Sequence, residues 1–259
     1  MNLSFDTSLA DGYTNNSQKI RRLTEHWVEA NMFCPSCGGR LHNYENNRPF
    51  ADFHCPICVL DFELKSKKNS FGKKIASGDY TSMIAKLQNE NKPNMMFLSY
   101  LAEVLETNDF FVVPKHFIIP EIIEERTPLK ETARRAGWIG GNILFDKIPQ
   151  AGHIYYIRQQ IIIPKQEVLE KWAYTLFLQE VSQTESKGWL IDIMHCIDSI
   201  GKNEFTLSEL YEYEKVLTEL HPENNHIKDK IRQQLQVLRD KGYLNFEGRG
   251  EYRLTRNIY

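Results

Sequence analysis

The chain has no apolar run long enough to cross a bilayer. Its longest greasy stretch, Met95 to Leu101, covers seven residues, against the roughly 20 that a spanning helix needs. No basic flank followed by an apolar core opens the sequence, so no secretory leader is read there and the expected compartment is the cytoplasm. There is no internal repeat and no low-complexity segment. Strong charge of one sign is also missing: the 259 residues carry a formal net charge of −2. A nucleic-acid partner would therefore have to be met by a local patch rather than by bulk charge. Cysteine is scarce, at five residues. Four of them fall in close pairs, which in an intracellular chain points to a metal site and not to a disulfide framework.

What is present fits a folded soluble protein, with 41% hydrophobic and 25% charged residues. Two stretches are locally basic. Lys65, Lys67, Lys68, Lys73 and Lys74 follow one another with no acid between them. From Asn225 onward eight Lys and Arg face four Asp and Glu, whereas Lys187 to Glu223 holds three bases and eight acids.

The pattern of elements changes partway along. Asn15, Asn16 and Ser17 can cap a helix running to Asn31, with Ile20, Leu23 and Trp27 on one face. Asp61 to Lys65 alternates as a half-buried strand does. A helix is expected around Ser77 to Asn89, buried strands at Met95 to Leu101 and Phe110 to Val113, and a loop at Arg134 to Gly141. A further strand is expected at Ile154 to Ile157 and a helix at Gln166 to Glu180. Ser182 to Lys187 reads as a linker. Beyond it come helices at Trp189 to Ile200, Ser208 to Leu220 and Asn225 to Lys241, then two short strands around a turn at Glu247 to Gly250. Three helices followed by a hairpin is the winged-helix order. The expected division is residues 1–182, with a metal site at 34–58, and residues 183–259.

Cys34-Pro35-Ser36-Cys37 and Cys55-Pro56-Ile57-Cys58 are separated by seventeen residues. Two residues between thiolates let one tight turn aim both at a single ion, and two such turns complete a tetrahedral zinc site with no open position. That zinc would be structural. Cys196, among Ile193 and Ile197, reads as a small buried hydrophobe.

Between and after these cysteines lie Asp52 and the run Glu63-Leu64-Lys65. Two carboxylates can hold a hard ion such as magnesium. On a strand Glu63 and Lys65 share a face, where the lysine can position an attacking water. The order Asp…Glu-x-Lys is the motif of the PD-(D/E)xK nucleases, although Pro49 stands three residues ahead of Asp52 rather than beside it. That resemblance also implies a metal ligand from the carbonyl of the middle residue, Leu64. Asn225, Lys228, Arg232, Gln236 and Arg239 cluster on the wheel of the third C-terminal helix, away from the centre of the stripe formed by Ile227, Ile231, Leu235 and Leu238. Such a face suits a helix in a major groove, and Arg249 at the hairpin turn is placed as a wing residue would be.

Several strings resemble the DpnI-like methyl-directed restriction endonucleases: Asn15 to Lys19, Glu45 to Pro49, Phe62 to Lys68, Ala133 to Gly140, and Ile231 to Gln236 continuing to Leu244. The resemblance extends over nearly the whole chain. Glu103 to Pro128 and Ile154 to Ser182 are more divergent, and Thr255 to Tyr259 is an extra tail. It implies an α+β fold, a PD-(D/E)xK restriction-endonuclease-like domain with an inserted four-cysteine zinc site, and a small C-terminal winged helix. It also implies a magnesium-dependent enzyme that cuts double-stranded DNA where adenine in GATC carries an N6-methyl group, with both domains reading the site. Neither a membrane nor an obligate protein partner is expected. Trp138, in a glycine-containing loop beside Arg134 and Arg135, is the candidate methyl reader: a flat ring packs on the methyl while the arginines hold phosphates. The competing functions are a non-catalytic zinc-ribbon and winged-helix regulator, and a repair nuclease of the same fold without sequence preference.

Overall fold

The computed structural model describes residues 1–44, 51–87, 92–181 and 184–256. Parts of the sequence reading fall outside them: the Glu45 to Pro49 string, the end of the Ser77 to Asn89 helix, Ser182 and Gln183 of the linker, and the last three residues of the tail. The chain divides into two compact units, residues 1–145 with 152–175, and residues 146–151 with 176–259. Among the described residues no helix is long and apolar enough to cross a membrane.

The first unit opens with helix α1, Asn16–Asn31. The Asn15 side chain caps it, accepting from the Ser17 and Gln18 amides, and so satisfies two of the donors that every helix start leaves unpaired. The strands that follow are β1 His42–Asn43, β2 Phe53–His54, β3 Asp61–Lys68 and β4 Lys74–Asp79, and then helix α2, Tyr80–Leu87. Strands β5 Asn94–Leu101, β6 Glu106–Val113, β7 Ile123–Glu125, β8 Gly140–Leu144, β9 Ile154–Arg158 and β10 Ile161–Ile162 lead to helix α3, Lys165–Thr175. Seven strands form the main sheet in the order β1-β2-β3-β5-β6-β9-β10, and β4-β8-β7 form a smaller antiparallel one. Among the described strands only β3 and β5 run parallel, with Glu63 beside Met95 and Lys65 beside Phe97.

Both faces of the main sheet are covered, which is why β5 reads as a nearly continuous apolar run, interrupted by Ser99. On one face Leu23, Trp27 and Val28 of α1 and Val168 and Trp172 of α3 bury Phe62, Met96, Leu98 and Phe110. On the other, Phe71, Phe97 and Phe145 meet edge-on, Phe97 and Phe145 at 4.8 Å between ring centres. Glu63 and Lys65 sit on this second face by alternation along β3.

The second unit contains helix α4 Thr184–Ile200, strand β11 Glu204–Thr206, helices α5 Leu207–Tyr211, α6 Glu214–Leu220 and α7 Ile227–Asp240, and strands β12 Leu244–Gly248 and β13 Glu251–Leu254. The strands pair in the order β11-β13-β12, all antiparallel. This is the winged-helix arrangement. Its core is formed by Trp189, Ile193 and Ile197 of α4 and Ile227, Ile231, Leu235 and Leu238 of α7. Cys196 is buried there, and burial pushes its thiol up to about 12.

Several boundaries differ from the sequence reading. Thr184 to Lys187, expected as linker, open helix α4, and the helix expected from Gln166 to Glu180 is α3 to Thr175 followed by a 3-10 helix over Leu176–Glu180. The helix expected from Ser208 to Leu220 is two helices, broken at Glu212 and Tyr213. Helix α7 begins at Ile227, so Asn225 precedes it. Ser77 to Asp79 belong to β4 and not to a helix, and Gly140 and Gly141 belong to β8 rather than to the loop.

Candidate active site and metal centre

The two cysteine pairs are built as matching turns. In the first, the Gly38 amide donates to the Cys34 carbonyl and the Cys34 amide to the Gly39 carbonyl. In the second, Val59 donates to Cys55 and Cys55 to Leu60 in the same way. Residue five of each turn has a left-handed backbone, Gly38 at φ 72° and Val59 at φ 59°. The four sulfurs converge within 4.8 Å of one another. Cys34 lies 3.4 Å from Cys58, and Cys37 lies 3.4 Å from Cys55. Burial pushes the Cys34 and Cys58 thiols up. At Cys55 burial acts the same way, but amide donors from Cys58 and Ile57 and neighbouring thiols outweigh it and the thiol falls. Four sulfurs on two rigid turns match the donor set of a closed tetrahedral site, which could hold zinc.

The second turn joins β2 to β3, whose register is Phe53 against Phe62 and His54 against Asp61. Asp52 lies just before β2, and its amide donates to the Phe62 carbonyl. Its Oδ2 accepts the Leu64 amide at 2.7 Å. That bond sets the carboxylate against the backbone between Glu63 and Lys65. A strand residue points its N–H and C=O to the same side, so the Leu64 carbonyl faces the same edge. Lys65 Nζ donates to Glu63 Oε1 at 2.5 Å. Asp52, Glu63, Leu64 and Lys65 are thus brought together.

Burial pushes the Asp52 carboxyl up from its ordinary value; the Leu64 amide opposes this, Glu63 adds to it, and Arg21 and Lys65 oppose it. The two carboxylates offer the oxygen donors that a hard divalent ion takes, and the Lys65 ammonium lies beside them. Glu63 and Lys65 also line a cleft of about 100 Å³ with Ser77, Asp79, Lys86 and Lys92.

The loop singled out for Trp138 joins β7 to β8. The Leu129 amide donates to the Trp138 carbonyl, and the Gly137 amide donates back to Leu129. Trp138 is half-buried, while Arg134 and Arg135 are exposed. The Arg135 guanidinium lies 4.4 Å from the centre of the Trp138 ring. The Ser82 amide and hydroxyl hold the Asp79 carboxyl down, and the Arg135 charge adds to that effect. The loop is therefore electrostatically coupled to a residue of the cleft.

In the second unit Lys228, Arg232 and Gln236 are exposed on α7, and Arg249 is exposed at the turn between β12 and β13. Lys228 pairs with Glu214 at 3.2 Å, and Arg232 pairs with Asp229 and donates to the Tyr211 hydroxyl at 3.1 Å. The sequence reading missed Tyr211 and Asp229 as partners of this face, and Arg21 as a neighbour of Asp52. Asp229 was findable, being one turn from Arg232. No local pattern marks the other two, because they come from other elements.

A sheet that presents two acids and a lysine on one edge beside a four-cysteine centre, joined to a winged helix, defines the class: a nuclease with its own DNA-binding unit. The model of the DpnI family, described as the Dam-replacing family, matches residues 1–181, and that of the Dam-replacing HTH domain matches residues 185–254. The chain belongs to the Dam-replacing DpnI family.

Proposed function

We propose that the chain is a type II restriction endonuclease that hydrolyses double-stranded DNA at GATC sites carrying N6-methyladenine. The observation that carries this reading is the Asp52 carboxylate docked on the Leu64 amide, between Glu63 and Lys65. Asp52, Glu63 and the Leu64 carbonyl supply oxygens on one edge, and those residues would hold magnesium. When bound, the ion stabilises charge on the phosphate oxygens and lowers the pKa of a coordinated water. Lys65 orients the attacking water and favours its deprotonated form. The water oxygen bonds to phosphorus, the phosphoester bond breaks, and the departing oxygen takes up a proton. Zinc at Cys34, Cys37, Cys55 and Cys58 holds the β2–β3 turn and takes no part in the chemistry.

Residues 1–182 cut and residues 183–259 read in this scheme, inside the cytoplasm. Trp138 packs its ring against the methyl group, and Arg134 and Arg135 hold phosphates. On α7, Arg232 and Gln236 read base edges, while Asn225, Lys228 and Arg249 reach the groove margin and backbone.

The test is incubation with magnesium and plasmid from hosts with and without adenine methylation at GATC. Discrete fragments from the methylated plasmid alone are expected, and none from an Asp52→Ala variant. Binding without cutting would favour the regulator, and equal cutting of both plasmids the repair nuclease.

A further inference from the structure

Arg21 projects from α1 with its side chain two-thirds exposed, and it is tied at two points. Its Nε donates to Glu25 Oε1 at 2.6 Å, and its Nη2 lies 3.7 Å from Asp52 Oδ1. The two oxygens of Asp52 are therefore used differently. Oδ2 is fixed by the Leu64 amide, and Oδ1 is the one that faces the guanidinium. Because Glu25 takes the Nε–H, the terminal nitrogens remain to serve a second partner. A planar guanidinium fork matches a phosphate in geometry and charge. A divalent cation at Asp52 Oδ1 would repel Arg21, whereas a phosphodiester arriving there would attract both positive groups.

We propose that Arg21 is a phosphate-binding residue of the cleavage site: anchored by Glu25, its guanidinium leaves Asp52 Oδ1 and takes a non-bridging oxygen of the phosphodiester being cut. This rests on the reading of Asp52 as an ion-holding acid. Two opposite effects follow from one charge. In the DNA-free protein Arg21 weakens cation binding. On the substrate it stabilises the negative charge that builds up on the phosphate. A plain structural ion pair between α1 and the Asp52 edge would produce the first effect but not the second, so the cleavage rate is the discriminating readout.

The experiment uses the zinc-loaded full chain with Arg21→Ala and Arg21→Lys. Manganese is the probe, the free ion being counted by electron paramagnetic resonance without DNA. Single-turnover cleavage of methylated DNA is then measured at saturating magnesium. Arg21→Ala is expected to bind manganese about threefold more tightly, since a repelling charge is gone. It is expected to cleave on the order of 100-fold more slowly, the scale seen when a transition-state donor is removed. Arg21→Lys keeps the charge, so it should bind manganese like the native chain and recover part of the cleavage rate. Cleavage by Arg21→Ala at the native rate, or manganese bound more weakly by that variant, would overturn the assignment. Asp52→Asn serves as the control. If it bound manganese and cut like the native chain, the underlying reading of Asp52 would fall, a result distinct from any Arg21 phenotype.

Discussion

Gly38 and Val59 occupy the same place in two matching turns, but only one of them suits it. A left-handed backbone is easy for glycine and strained for a β-branched residue. Val59 is 81% exposed, so its side chain gives little packing in return. Val59→Gly is therefore expected to stabilise the first unit by about 1 kcal/mol, read as a higher urea midpoint with an unchanged slope. Gly38→Val should do the reverse, because a Cβ there would come within 2.8 Å of the Lys165 side chain at φ +72°. Asp52 gives a second prediction. Its folded pKa is raised, burial being the largest cause, from an ordinary 3.8. A raised carboxyl lends stability below pH 3.8 and loses it as pH rises through the folded value. Asp52→Asn stays neutral throughout and can still accept the Leu64 amide. In magnesium-free buffer it should melt higher than the native chain at neutral pH, with the gain vanishing below pH 3.8. At this scale the cysteines and the Asp52–Glu63–Lys65 set were legible, because each rests on short spacing along a turn or strand. Arg21 was not, because only the packing of α1 on the sheet brings it to Asp52.

The loop between β7 and β8 depends on a glycine that the sequence suggested for another reason. Glycines at 140 and 141 read as loop residues, yet both lie in β8. They are small because side chains lie over them: a Cβ on Gly140 would stand 2.9 Å from the Trp138 ring, and one on Gly141 2.9 Å from the Met83 sulfur. Gly140→Ala should therefore displace the Trp138 ring while leaving Asp52, Glu63 and Lys65 in place. The expected outcome is a cut rate on methylated DNA within about threefold of native and a preference for methylated over unmethylated DNA reduced about tenfold, a loss of about 1.4 kcal/mol. An unchanged preference would remove Trp138 as the methyl reader. Among the helices, α1 and α7 were legible through their apolar period and, for α1, its cap. The break between α5 and α6 was not, because no glycine or proline marks Glu212 or Tyr213. Thr206 and Glu209 form a capping box that starts α5, and the Glu212 amide bonds to both Glu209 and Leu210 carbonyls as that helix tightens and ends.

At the scale of the molecule, two units with separate cores divide the expected work. Their order along the chain was legible in the change of pattern beyond the Ser182 to Lys187 segment. The inclusion of residues 146–151 with the second unit was not, because contacts distant in sequence decide it: the Gln150 amide, for instance, donates to Asp198. The metal centre belongs to the first unit alone. Removing zinc with a strong chelator should raise amide hydrogen exchange through residues 34–68 and abolish cutting, while α7, β12 and β13 keep their protection. Equal loss of protection in both units would show that the centre supports more than its own neighbourhood.

The second cysteine turn also constrains how this protein can vary. Ten residues lie between Asp52 and Glu63, and six of those, Cys55 to Leu60, belong to a turn whose hydrogen bonds and thiols fix its length. A strand shifted by one residue shows its opposite side. A single insertion or deletion between Leu60 and Glu63 would thus turn the acid and the lysine toward the α1 core, whereas a change of two would return them to the cleft side one step along. Length here can change only by even numbers, so lineages that keep the activity should differ in this segment by pairs of residues or not at all.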